Sequence, residues 1–462
     1  MVQGKGSVMN DAVALLTREE AERAAAEAFR HANGTPAELL IEWQASGSTR
    51  FSNNAITQNV SSRTESVTVR LVDGKRQGKA ETTTLSPSAI ARAVERAKRV
   101  VGHGHDDEDT LPLVAPPQEH RKVDAFSTRT AETGPDQRAR IVQRLVDRCR
   151  SEGLTGSGLV TMRSHVVSYA NSTGLTGYHT WTEASASLTA AAGDGVEGWA
   201  EMLNVDVERI DTDWLMEEAV STALSGRNPG QIPTGTYHVV LAPAAVSELM
   251  LFWTWLGSGA KAYQEDRSYV SGKLGQKLFS SLLTVSDDAY HPMAPGLPFD
   301  FEGMPRQRVL LVDKGVPCAV VHDRITARRA GVQSTGHSLP QPNTSGPMAL
   351  NVVVEGTDKP LDELVKDVDQ GLLVKRFHYG NVLEPKKLSL TGMTRSGLFR
   401  IEGGEVVGPV KNMRFTDDLV SVFSTLEDVG RAEPTGKALF GGGFVVPPMR
   451  VREFSFTSGT EF

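Results

Sequence analysis

The densest run of metal-capable donors is His103-Gly104-His105-Asp106-Asp107-Glu108-Asp109, two imidazoles beside four carboxylates. Neutral imidazole nitrogen and carboxylate oxygen are both zinc ligands. A flexible acidic loop holds them in no fixed geometry, so the run reads as solvated charge. His322-Asp323 has the make-up of an oriented general base, yet Asp323 is also placed to cap the segment Arg324 to Ala330, and the cap accounts for it. His337 sits in the Pro- and Gly-rich loop Gly336-His337-Ser338 with no acid or nucleophile beside it in sequence. The signatures of a nucleophile elbow, a phosphate loop, a dinucleotide fold and a His-Glu-x-x-His zinc helix are all missing.

The elements that must position any site follow from local patterns. Thr17 and Glu20 form a capping box for a helix that stops at Asn33-Gly34. Leu39 to Trp43, Thr49 to Asn59, Ser66 to Val72 and Gln77 to Thr83 read as a strand meander with Asp73-Gly74 as one turn. Ser86-Pro87 opens a helix to Gly102, and Pro135 to Cys149 is a third helix. Val160 to Ala170 and Leu175 to Leu188 flank Asn171-Ser172-Thr173-Gly174 as a hairpin, and Asp213 to Leu224 is helical. The breaker run Arg227-Asn228-Pro229-Gly230 is the predicted linker. Beyond it come a strand from Tyr237 to Leu241, an apolar helix opened by Pro243, and a hairpin of Val309 to Val312 with Val316 to Val321. A short helix from Pro360 to Asp369 follows, then strands at Leu372 to Tyr379, Leu398 to Ile401 and Val451 to Phe456. Strand runs with a few helices and no regular alternation give an α+β fold. Two domains are expected: an α/β-meander domain over 1–226 and a mainly β domain over 227–462.

The composition sets outer bounds. The chain has 462 residues, 39% apolar and 23% charged, with 44 Gly and 23 Pro, which is ordinary for a folded chain with many turns. Its 49 Lys and Arg against 56 Asp and Glu leave −7, and no basic block tracks a phosphate backbone, so direct nucleic-acid binding is not expected. The two cysteines, Cys149 and Cys318, make no disulfide framework. With no apolar run behind Met1 to Asn10, and Val239 to Leu256 too broken to span a bilayer, a cytoplasmic location is expected.

Five segments together resemble the TldD/PmbA family of bacterial and archaeal peptidase-related proteins. They are Thr49-Arg50-Phe51-Ser52-Asn53-Asn54 with Ile56-Thr57-Gln58, Ala170-Asn171-Ser172-Thr173-Gly174, and Gly235-Thr236-Tyr237-His238-Val239-Val240-Leu241. The others are Thr391-Gly392-Met393-Thr394-Arg395-Ser396-Gly397 running into Ile401-Glu402-Gly403-Gly404, and Pro409-Val410-Lys411-Asn412-Met413-Arg414-Phe415. The resemblance implies a two-domain α+β fold and a zinc metalloprotease acting on unfolded or small peptides. It also implies links to peptide-antibiotic maturation and, through peptide inhibitors, to DNA gyrase.

In the TldD-type subunit the zinc motif is His-Glu-x-x-x-His on the helix after the strand that Tyr237 to Leu241 resembles, with a late Cys as a further ligand. Here the motif positions are Ser247, Glu248 and Phe252, and Val429-Gly430-Arg431-Ala432 holds no Cys. Zinc at a catalytic site needs about three protein donors, which these positions do not supply. The resemblance is therefore to the TldE/PmbA-type subunit, which implies no metal in this chain, zinc in a TldD-type catalytic partner, and a hetero-oligomer of the two. Arg50, Asn53 and Arg395 are the expected peptide contacts, with a buried polar network or turn as their other reading. Met250, Phe252, Trp253 and Trp255 are the expected partner interface, with the chain's own core as the other reading. The alternative functions are a stand-alone hydrolase using His337 or the His103/His105 loop, and a non-enzymatic interaction protein.

Overall fold

The computed structural model describes residues 14–193, 195–436 and 442–460, so the reading of Met1 to Asn10 lies outside the described residues. Helix α1 (Arg18–Ala32) begins where Thr17 accepts from the Glu20 amide while Glu20 accepts from the Thr17 amide, and ends at Asn33 with φ 52°. Strands β1 (Ala37–Ser52), β2 (Ala55–Asp73) and β3 (Arg76–Thr82) form the meander. Helices α2 (Pro87–His103), α3 (Thr128–Ala131) and α4 (Pro135–Ser151) then lead to the long hairpin β4 (Thr155–Asn171) and β5 (Thr176–Gly193). Strand β6 (Val196–Asn204) and helix α5 (Thr212–Ser225) complete this half.

All six strands form one antiparallel sheet in the order β3-β2-β1-β4-β5-β6. Alternation divides it. Leu39, Ile41, Trp43, Val67 and Val69 turn to α1 and α2, while Phe51, Val160 and Leu188 turn to α4 and α5. The opposite face carries Gln44, His165 and Trp181, paired in register across β1, β4 and β5. Strand β3 pairs only with Val67 to Asp73, so the outer edge of β2 from Ala55 to Ser66 has no strand beside it among the described residues.

Two expectations need correction. Thr49 to Asn59 is not one strand: Asn53 and Asn54, at φ 52° and 60°, make the two-residue turn between β1 and β2. Two consecutive positive φ values are what a type I′ hairpin demands, and asparagine tolerates them better than most side chains. Leu372 to Tyr379 is likewise two strands, Gln370–Val374 and Phe377–Glu384, in different parts of one sheet.

After α5 the chain passes through Arg227 to Gly230, whose Gly230 amide donates to the Pro409 carbonyl at 3.0 Å, and whose carbonyl accepts from Lys411. Strand β7 (Gly235–Leu241) then enters a nine-stranded mixed sheet, between Met449–Gly459 and Gln370–Val374. Helix α6 (Pro243–Gly257) follows at once. A second, six-stranded sheet ends in Asn351–Val354, Gly443–Val446 and Glu433–Thr435. One apolar core joins both sheets through α6: Leu249, Met250 and Trp253 pack with Val285 and Phe444 of one sheet and Val239 and Phe377 of the other. The chain is thus an α+β protein in which strand-rich sheets carry a few packed helices.

The two halves are welded at the far end of the first sheet. Leu297, Phe299 and Phe301 insert beside Leu40, Val167 and Tyr169. There the buried Arg70 donates twice to Glu38, at 2.5 and 2.9 Å, and the Tyr169 hydroxyl adds a third bond at 2.9 Å. A buried pair satisfied this fully contributes fixed geometry more than net stability.

Candidate functional site

A cleft of about 690 Å³ opens where β6 faces the N-terminal end of α6. Trp199 and Glu201 of β6 and Glu218 of α5 line one side, Ser247 and Glu248 of α6 the other, and Glu433 to Gly436 close the end. Both β6 and Glu433–Thr435 are terminal strands of their sheets. Their outer main-chain edges carry no paired strand among the described residues, the arrangement that extended peptides join by main-chain hydrogen bonds.

The cleft is acidic. Its carboxylates are Glu201, Glu218, Glu248, Asp362 and Glu433, its cations Lys375 and Arg376. Lys375 pairs with Glu218 at 2.8 Å. The Arg376 guanidinium carbon lies over the Trp199 ring, 3.9 Å from its centroid. Burial lowers the Arg376 pKa against the opposing pull of Glu201, Glu248 and Glu197. Burial also raises the Glu433 carboxyl, helped by the nearby Glu218. Outside the cleft lining, Arg395 Nε donates to Glu197 at 2.7 Å and the Ser396 hydroxyl donates to the same oxygen at 2.8 Å. Despite the burial of Glu197, those two bonds hold its pKa below the usual carboxylate value. Arg395 therefore fastens the nine-stranded sheet to β6.

The donor set does not fit a catalytic zinc. The Ser247 hydroxyl donates to the Ala244 carbonyl of its own helix at 3.0 Å. Phe252 has no donor atom, and its ring lies so close to Gly380 that an added Cβ there would come within 2.5 Å. Glu248 alone offers a ligand from α6, and no group of three His, Cys, Asp or Glu side chains able to hold a metal occurs among the described residues.

The other sequence candidates separate. Arg395 is not one of the cleft's lining residues; it sits beside the wall, its amide donating to the carbonyl of the lining Arg376 at 3.0 Å and its side chain held by Glu197. Arg50 is exposed on β1, on the row Arg50, Leu159, Ser187, Glu201 that crosses the sheet to the cleft wall, three strands from Glu201. At about 4.8 Å per strand this is roughly 14 Å away. Asn53 is the first residue of the β1–β2 turn and belongs to no cavity wall with Arg395; its turn reading is the one the backbone supports. The apolar stretch of α6 is mostly core: Met250, Phe252 and Trp253 are buried by this chain's own sheets, with Trp253 5.7 Å from the Tyr269 ring. They form no outward surface, because α6 is covered by strands of both sheets. Only Trp255, 56% exposed, points out.

Two alternative centres take structural roles. His337 does have an acid, supplied from fifty positions away: its Nε2 lies 2.9 Å from Asp287 Oδ1. Arg306 bonds the same oxygen at 2.5 Å, and the Leu350 and Asn351 amides donate to the other. Burial would raise the Asp287 pKa, but Arg306, His337 and the amide bonds hold it far below the usual range. Both side chains are fully buried, so no substrate reaches them. In the acidic loop, Glu108 pairs with Lys75 at 2.5 Å and Asp109 with Arg328 and Arg329, which makes the loop a clasp between the two halves. Asp323 caps its helix through the Thr326 amide at 2.8 Å. Sequence reasoning missed β6 and with it Trp199, Glu201 and Glu197; the Trp199/Glu201 alternation was the available signal.

Three domain models of one family match the chain in succession: PmbA/TldA metallopeptidase domain 1 over 37–101, its central domain over 125–227 and its C-terminal domain over 234–458. The chain belongs to the PmbA/TldD metallopeptidase family. It is 24% identical over 397 residues to the metalloprotease PmbA of Escherichia coli O157:H7, across 81% of this chain and 83% of that protein. A TldD homologue of Buchnera aphidicola subsp. Acyrthosiphon pisum is 28% identical over 232 residues, 48% of this chain and 46% of its own length. The structure superposes on TldE from Thermococcus kodakarensis with a TM-score of 0.84 at 19% identity, covering 95% of this chain and 100% of that one, a likeness of fold. No helix among the described residues is long and apolar enough to cross a membrane.

Proposed function

We propose that this chain is the metal-free, peptide-holding subunit of a two-chain zinc metalloprotease, with the zinc in a TldD-type partner. The observation that carries the reading is the set of motif positions on α6, of which Ser247 and Glu248 line the cleft and Phe252 is packed beneath them. Where a catalytic zinc would need two imidazoles, α6 has a hydroxyl bonded to its own backbone and a phenyl ring wedged against Gly380. What remains is a binding surface: two strand edges with no strand paired on their outer side among the described residues, a Trp199–Arg376 stack and a surplus of carboxylates. Such a surface takes an extended chain and holds it for chemistry done by the other subunit.

The test mixes this chain with a TldD-type subunit from the same organism and measures hydrolysis of casein or an unfolded peptide, with elemental analysis of the separated chains. The expected result is a stable complex with activity absent from this chain alone, and zinc only in the partner. About one tight zinc per copy of this chain, or hydrolysis by it alone, overturns the reading.

A further inference from the structure

A second cavity of about 660 Å³ lies on the open face of the first sheet and shares Ser187, Glu201 and Gly436 with the cleft, so the two form one continuous trough. Glu42 and Glu65 also line this second cavity, but what distinguishes it from the cleft is a set of stacked rings. The His165 ring stacks on Trp181 at 4.4 Å and 3° between planes, and His179 continues the array at 5.9 Å and 16°. Leu297 and Phe301 also line this cavity, in the apolar cluster against which Trp181 packs. Between the ends, Arg163 and Glu183 neutralise one another as an ion pair. Burial pushes both His165 and His179 down to about 4, so the array is uncharged at neutral pH. The Nε2 atoms of both rings are buried without a hydrogen-bond partner among the described residues, which is unusual for groups a folded protein normally satisfies.

We propose that the Trp181/His165 stack is a binding subsite for an apolar or aromatic side chain of an extended peptide whose other end lies in the cleft. The assignment rests on the peptide-holding reading above and adds a selectivity to it. Strand β5 sets the spacing: Ser187 lines the shared wall and Trp181 lies six residues away along the strand, roughly 20 Å at the rise of a β-strand. A peptide lying along β5 therefore spans about six residues between the acidic end and the stack. Short peptides reach only one end. The apolar residue must also fall on the trough-facing side, which in an extended chain is every second position.

The test uses fluorescence anisotropy with the full chain and three labelled probes. One is a peptide of about twelve residues with Phe at alternate positions of one half, the second has Ser in place of each Phe, and the third is the other half alone. The Phe probe should bind about tenfold or more tighter than the other two, the gain expected from burying one or two aromatic rings. In Trp181→Ala that advantage should vanish while the Ser probe binds as before; Trp181→Leu, which keeps an apolar filler, should retain part of it. A benzophenone residue in place of Phe should crosslink unmodified protein at β4, β5 or the segment around Leu297 and Phe301. If none of the three probes binds, the peptide-holding reading fails and the subsite with it. If the probes bind but the Phe advantage is absent, persists in Trp181→Ala, or crosslinks elsewhere, the subsite alone is overturned.

Discussion

Truncating Trp255 to alanine separates contact with a partner from contact within the chain. Its side chain is 56% exposed, while Trp253, two positions earlier, is 1% exposed. A tryptophan presents up to about 250 Å² of burial, so roughly 140 Å² of Trp255 remains open. Closing that area in an interface is worth up to about 3.5 kcal/mol at ~25 cal/mol per Å². Because association returns only part of the area burial, a loss of about ten- to a hundredfold in Kd for the TldD-type partner is the expected effect. In the isolated chain the change removes chiefly a 6.3 Å ring contact with Phe252, so stability should move by less than about 1 kcal/mol. Trp253→Ala is the counterpart: it empties a core position and should destabilise the isolated chain by about 3–5 kcal/mol. Calorimetric titration against the partner, run beside denaturant unfolding of each variant alone, reads both effects. If Trp255→Ala leaves partner affinity within about twofold while the chain stays folded, the exposed ring of α6 lies outside the interface and the area argument is wrong.

Installing histidine at Ser247 and Phe252 together should yield neither stoichiometric zinc nor peptidase activity, because Val429 to Ala432 still lacks the cysteine ligand that the resemblance implies, and should lower stability by about 2–4 kcal/mol as a polar ring replaces the phenyl against Gly380; metal analysis and casein hydrolysis check it. Stability should fall between pH 6.5 and 4. His165 and His179 are held near 4 when folded and return to about 6.5 unfolded, so the unfolded chain binds more protons in that window, worth about 2–3 kcal/mol per histidine by pH 4. Urea midpoints at pH 7 and 4.5 should converge in the His165→Gln/His179→Gln double variant, and an unchanged pH dependence counts against the buried neutral rings. Asn53→Gly should keep stability within about 0.5 kcal/mol and leave peptide binding unaltered, since the position needs only positive φ. Asn54→Ala should cost about 2–3 kcal/mol, because its side chain also donates to the Leu154 carbonyl and accepts from the Gly156 amide. Thermal melts of the two variants decide between them.

What the sequence made legible was local. The Thr17/Glu20 capping box, the Pro243 start of α6 and the Asp323 cap each depend on residues within a turn of one another, and each is present as read. The boundary between β1 and β2 was missed because Asn53-Asn54 lacks the glycine that usually announces such a turn. The site was only partly legible for a related reason. Ser247 and Glu248 could be placed by analogy, but Trp199, Lys375, Arg376 and Glu433 come from segments whose proximity no short-range pattern encodes. His337 finding its acid at Asp287 is the same failure in a structural setting: the pair is set by register between distant loops and strands. Apolarity alone could not tell core from interface along α6. That distinction depends on which strands cover the helix.

The cleft is closed at one end by Glu433 to Gly436, in the last tenth of the chain, against β6 near residue 200. During synthesis on a ribosome the six-stranded sheet and its helices are complete long before that segment emerges, and domains generally fold as units from the N-terminus onward. The trough face of the sheet, with the His165 and Trp181 rings, then waits uncovered while more than two hundred further residues are added. Closing it requires contacts of very long sequence separation, the slowest kind to form. The face proposed to bind peptide in the mature protein is, in the nascent one, the surface left longest without its cover.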